Sequence, residues 1–156
     1  MDIRLYLVRH AEPKSKEEDP ERPLSEKGFQ EIGKVASYLS QLNIGVDAIL
    51  HSGKLRAKQT AEVLSEGLTP PAGVSETDGL APQNDPAIWT GRLKEMTDDI
   101  MLVGHLPHLE RLTSLLLCGD RDKKIVAFGM GAVVCLKRDD NGEWSLQWIS
   151  TPEMAQ

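Results

Sequence analysis

Ile3-Arg4-Leu5-Tyr6-Leu7-Val8-Arg9-His10-Ala11-Glu12-Pro13 opens on an apolar, β-rich run that reads as a buried strand. The run stops at Arg9-His10, and Pro13 begins a polar, exposed loop through residues 14–23. Next comes Ser25, a helix N-cap. Phe29, Ile32, Val35, Ala36, Leu39 and Leu42 follow at three- and four-residue spacing, as on an amphipathic helix. A strand feeding a helix in this way is the first unit of an α/β sheet.

The same alternation continues downstream. Residues 46–50 read as a second strand, and Ser52 can cap a second helix carrying Leu55, Ala57, Ala61, Leu64 and Leu68, with Gly67 as its stop. Pro70-Pro71 breaks the chain, and residues 73–76 make a short edge strand. Residues 78–86 read as a loop, 87–96 as a helix and 100–103 as a strand. Gly104-His105-Leu106-Pro107 turns into a helix whose buried face is Leu109, Leu112, Leu115 and Leu116. Pro107 suits that helix's first turn, where a missing N–H costs nothing. Strands are expected near 124–128, 132–137 and 143–149, the last two joined by a hairpin turn at Asp139-Asp140-Asn141-Gly142. The expected fold is a three-layer α/β/α sandwich in one domain, residues 1–156, with a mostly parallel sheet and an antiparallel edge hairpin.

Composition bounds the function. A length of 156 residues with 40% hydrophobic and 27% charged side chains is that of a globular domain and excludes a disordered chain. Eighteen Lys and Arg against 24 Asp and Glu leave a formal charge of −6, which opposes general nucleic-acid binding. No apolar run approaches the roughly 20 residues that span a bilayer. The stretch Leu5–Val8 before Arg9 is too short for a signal-peptide core. Cys118 and Cys135 are isolated in apolar surroundings, as in a reduced, cytoplasmic protein.

In an open α/β sheet, functional groups collect at the carboxyl ends of the strands. Arg9-His10, His51-Ser52 with Arg56 one turn on, and Gly104-His105 all fall there. Arginine's planar fork suits phosphate oxygens, and a neutral imidazole beside bound phosphate can act as nucleophile. Each residue alone has a plainer reading: Arg9 a strand-end charge, His10 a loop histidine, Arg56 a solvated helix residue, His105 a cap. Together they form a constellation. His51 reads as structural or rim, His108 as turned away on its helix, and Ser52 as a cap rather than a reactant. Arg22, in the loop over the site, is a solvated charge or a substrate contact. Although the chain has four histidines, two arginines beside the would-be ligands oppose a cation, so no metal and no cofactor is expected.

Leu7-Val8-Arg9-His10-Ala11-Glu12 resembles the opening RHG motif of the histidine phosphatase superfamily, with Ala11 in place of the usual glycine. Ser52-Gly53-Lys54-Leu55-Arg56-Ala57-Lys58-Gln59-Thr60-Ala61 is similar to its second motif, and Val103-Gly104-His105-Leu106-Pro107 to its third. The short length and Arg22-Pro23-Leu24-Ser25-Glu26-Lys27-Gly28 are closest to the SixA-type phosphohistidine phosphatases. The resemblance implies that His10 attacks phosphorus and is transiently phosphorylated. Arg9, Arg56 and His105 then surround the equatorial oxygens, and water releases inorganic phosphate.

One departure bears on substrate. Superfamily members acting on esters place a glutamate after a leucine in the middle region, to protonate the leaving oxygen. The register here is Leu80-Ala81-Pro82, and Pro82 cannot donate a proton. Asp78 is the best substitute acid, with an exposed loop aspartate the plainer reading. Large lid-building insertions are absent, which suits a phosphohistidine carried on a phosphotransfer or phosphorelay protein. The alternatives are a small-molecule phosphomonoesterase or mutase of the same fold and, from another class, a non-catalytic phospho-ligand binding module.

Overall fold

A computed structural model of the chain describes residues 1–155. The first strand, β1 (Ile3–Arg9), is interior to a six-stranded sheet. It pairs in parallel with β4 (Ile100–Gly104) on one side and antiparallel with β5 (Val133–Arg138) on the other. Outward from β4 lie β2 (Ala48–His51) and the short β3 (Val74–Glu76), both parallel to it. Outward from β5 lies its hairpin partner β6 (Trp144–Ser150). The order is therefore β3-β2-β4-β1-β5-β6.

Alternation along β1 sorts two cores. Tyr6 and Val8 face one side, with Ile32, Val35 and Leu39 of α1 (Glu26–Gln41) and Ala57, Ala61 and Leu64 of α2 (Leu55–Leu68). Leu5 and Leu7 face the other, with Trp89 and Leu93 of α3 (Ala87–Lys94) and Leu109 and Leu112 of α4 (His108–Cys118). This is the three-layer α/β/α arrangement. No lid stands over the carboxyl ends of the parallel strands among the described residues.

Several local expectations are corrected. The segment 124–128 is not a strand. Val126 and Phe128 are buried and Ile125 is exposed, so its alternation is real, but it reports insertion into the second core rather than pairing. Both edges of β1 and of β5 are already occupied. Gly67 does not end α2, which runs to Leu68 with Thr69 as its left-handed cap. A Cβ at Gly67 would lie 2.8 Å from the Ala36 carbonyl oxygen, so the glycine lets α2 approach α1. The cap of α2 is Lys54, not Ser52, whose hydroxyl meets His105 Nε2 and accepts from the Lys54 N–H at 3.4 Å.

Candidate active site

Three strand ends build the site. β1 delivers Arg9 and His10, the turn after β2 delivers Ser52 and the first turn of α2 Arg56, and the turn after β4 delivers His105. The His10 N–H donates to the Gly104 carbonyl at 3.1 Å, closing the β1 and β4 ends onto each other. Thr60 adds the α2 arm. Its hydroxyl accepts from the Ala11 N–H at 3.0 Å and donates to the Arg56 carbonyl at 2.8 Å. The Gln59 side chain accepts from the Leu24 N–H at 2.7 Å, fixing the loop that carries Arg22 to the same helix.

The His10 and His105 rings lie with centroids 5.1 Å apart, and both side chains are buried. His10 Nδ1 is 2.7 Å from the Ala11 carbonyl oxygen. A carbonyl can only accept, so Nδ1 carries the proton and Nε2 holds a free lone pair. Burial pushes the His10 pKa down to about 4; the Ala11 hydrogen bond opposes this, and the cations Arg56, Arg9 and Arg22 add to it. Burial likewise pushes His105 down to about 3, helped by His10, Arg56 and Lys54. Both imidazoles are neutral at pH 7. No carboxylate stands among the charges acting on either.

The arginines are buried for their type. Arg9 Nη1 donates to the Phe128 carbonyl at 2.9 Å. Burial lowers the pKa of both Arg9 and Arg56, with Glu110 opposing for Arg9 and Arg22 adding for Arg56. Arg9 Nε, Arg56 Nε and His105 Nδ1 are buried with no protein partner. Buried donors are normally satisfied. Two guanidinium donors thus stand without a protein partner beside a pair of neutral imidazoles.

Arg22 belongs to this cluster, since its charge acts on both His10 and Arg56. Its Nε donates to the Lys14 carbonyl at 3.2 Å. Ser52 does too, through its 2.6 Å contact with His105 Nε2. Asp78 is not brought in. Its carboxylate pairs with Arg92 at 2.8 Å, and Arg92 in turn stacks over Trp89. His51 is buried, and its Nδ1 accepts from the Gly53 N–H at 3.0 Å. His108, expected to turn away from the site, is fully buried with neither ring nitrogen partnered. Among the described residues no three His, Cys, Asp or Glu side chains gather as a metal ion would require.

Sequence reasoning gave no role to Thr60, Gln59 or the Phe128 carbonyl. Thr60 stands four residues after Arg56, one helical turn on, a spacing that could have flagged it. A backbone carbonyl reached from 119 positions away leaves no such signal.

An open α/β sheet with two imidazoles and two arginines at its strand ends is the architecture of a phosphoryl-handling protein. The chain belongs to the histidine phosphatase superfamily (branch 1), whose pattern matches residues 5–98. It is 24% identical over 155 residues to the phosphohistidine phosphatase SixA of Escherichia coli (strain K12), covering 96% of this chain and 94% of that protein. It is 38% identical over 115 residues to an uncharacterized protein of Picosynechococcus sp., covering 69% of this chain and 68% of that one. The solved structure of the protein histidine phosphatase SixA complexed with tungstate superimposes with a TM-score of 0.87 at 23% identity, over 99% of this chain and all of that chain. No helix is long and apolar enough to cross a membrane among the described residues.

Proposed function

We propose that residues 1–156 form one histidine phosphatase domain that removes phosphate from a phosphohistidine on a phosphotransfer or phosphorelay protein in the cytoplasm. The observation that carries this is the free Nε2 lone pair of a neutral His10, held by the Ala11 carbonyl among the cations Arg9, Arg22 and Arg56. Nε2 attacks phosphorus, and the P–N bond to the partner's imidazole breaks. That bond's electron pair stays on the departing ring nitrogen. Water then cleaves the new P–N bond on His10, releasing inorganic phosphate and restoring the neutral ring. Arg9, Arg56 and His105 bind the equatorial oxygens, where negative charge gathers. Arg22 binds substrate from the rim, and Ser52 holds His105. The ring of cations opposes a metal ion, and no cofactor enters the scheme.

Leaving-group chemistry supports the substrate class. An alkoxide's conjugate acid is about as weak as water, with a pKa near 15.7, and needs a proton donor to leave. Imidazole, with a pKa of about 6.5 for its conjugate acid, leaves as a neutral ring without one when its other nitrogen already carries a proton. Pro82 occupies the position where an acid would stand, and Asp78 is paired with Arg92. The test is kcat/KM on one enzyme preparation for a phosphohistidine protein, p-nitrophenyl phosphate and a sugar phosphate. The expected order is phosphohistidine, then aryl, then alkyl. An alkyl phosphate that matches or beats phosphohistidine would favour the phosphomonoesterase reading. Tight phosphate binding with no turnover on any of the three would favour the binding module.

A further inference from the structure

Glu110 lies in the first turn of α4, five residues after His105, and its side chain is only 13% exposed. One carboxylate oxygen, Oε2, accepts from the Phe128 N–H at 3.0 Å, and the other lies 3.5 Å from Lys124 Nζ. The carbonyl of the same Phe128 accepts from Arg9 Nη1 at 2.9 Å. One residue therefore links the carboxylate on the His105 arm to the guanidinium on the His10 arm.

We infer that Glu110 is the positioning residue for Arg9, acting through the Phe128 backbone; this rests on the oxyanion-binding reading of the site. Phe128 is buried in a stretch with neither helix nor strand, so no ladder sets the direction of its carbonyl. A buried loop N–H needs an acceptor, and Glu110 supplies it. Three residues on, the Gly131 N–H lies 3.0 Å from the Arg9 carbonyl oxygen and 3.1 Å from that of His10, so the loop also grips the end of β1. The remaining freedom of Arg9 is that of a long side chain, which is costly to order at each binding event unless ordered beforehand. The Phe128 carbonyl takes one Nη, while the buried Nε has no protein partner. Glu110 also acts on Arg9 directly, its charge opposing the effect of burial.

The test is a double-mutant cycle read by tungstate affinity, by kcat/KM for p-nitrophenyl phosphate and by melting temperature. Glu110→Ala should weaken tungstate binding by about tenfold, the scale of one hydrogen bond to a charged group. Glu110→Gln keeps an acceptor for the Phe128 N–H and drops the charge, so it should lose less, about threefold by the same reckoning. If Glu110→Ala fails to fold, Glu110→Gln carries the comparison alone. On an Arg9→Gln background the Glu110 substitutions should add no further loss, because the group they position is gone. Losses that multiply with Arg9→Gln, or Glu110 variants that bind tungstate as wild type does, would overturn the inference. Wild-type affinity in Arg9→Gln itself would overturn the oxyanion reading and this inference with it.

Discussion

The Ser52 hydroxyl lies 2.6 Å from His105 Nε2, joining residues 53 positions apart across the ends of β2 and β4. Neutral His105 has one N–H to offer, and the partner of Nε2 decides how the ring sits and where that proton can go. Ser52→Ala leaves a buried ring nitrogen without a partner, at a cost of about 1–3 kcal/mol. We expect kcat/KM to fall roughly tenfold, with Ser52→Thr recovering part of the loss. Unchanged kinetics in Ser52→Ala would make the contact architectural only.

His10→Ala should abolish turnover while the fold survives, because the residue sits beyond the last residue of β1. Loss of a nucleophile costs up to about 10⁶ in kcat in a well-studied protease. Wild-type enzyme quenched during turnover should carry acid-labile phosphate on His10. Near-normal turnover by the alanine variant would end the covalent mechanism.

The histidines set a direction for pH. His10 and His108 are both held down to about 4 from an ordinary 6.5, burial being the main cause in each. The unfolded chain therefore binds protons first as pH falls. Stability is at its full value above about 6.5, declines as pH drops, and levels off only below about 3, the value to which His105 is pushed. Urea unfolding at a series of pH values checks this, and His108→Leu should flatten the slope. In activity, the acid limb of kcat/KM should lie near 4 rather than 6.5 if His10 is the nucleophile. A limb at 6.5 would point to an exposed, unperturbed imidazole.

Two glycines of α1 should respond oppositely to alanine. At Gly33 an added Cβ meets nothing within 4 Å, so the gain in helix propensity, about 0.8–1 kcal/mol, should appear in full. At Gly28 the Cβ would stand 2.2 Å from the Glu12 carbonyl oxygen, a backbone atom that cannot step aside. That clash should outweigh the propensity and cost about 1–3 kcal/mol net. Activity should fall with it, since Glu12 is two residues from His10. Equal stabilisation of both variants would show that the start of α1 can shift freely.

What the sequence made legible is what a chain writes locally. Apolar runs ending at Arg9-His10 and at Gly104-His105 marked two interior strands and where they end. Ser25 capped α1 as its position implied, accepting from the Gly28 N–H at 3.0 Å. Errors arose where a distant partner outcompeted a near one. The Ser52 hydroxyl took His105 and reached back only to the Lys54 N–H, short of the first turn of α2. Val126 and Phe128 alternate with exposed neighbours because they plug a core, and period-two burial does not say whether a strand pairs. The link between Glu110 and Phe128 carried no pattern at all, because what joins them is a backbone group.

The reversed direction of β5 has an architectural outcome. A further parallel strand would have to begin at the foot of the sheet, as β4 does. Because β5 is antiparallel to β1 and enters opposite Val8, the chain leaving α4 must first climb the full height of the molecule. That ascent, residues 119–132, brings a wall to the edge where β1 and β4 end that strand ends alone could not supply. The terminal hairpin is thus the anchor of that wall as well as an edge cover. A chain cut before Ala132 would keep all four imidazoles and both arginines of the strand ends, yet lose the β5 anchorage that holds Phe128 against Arg9.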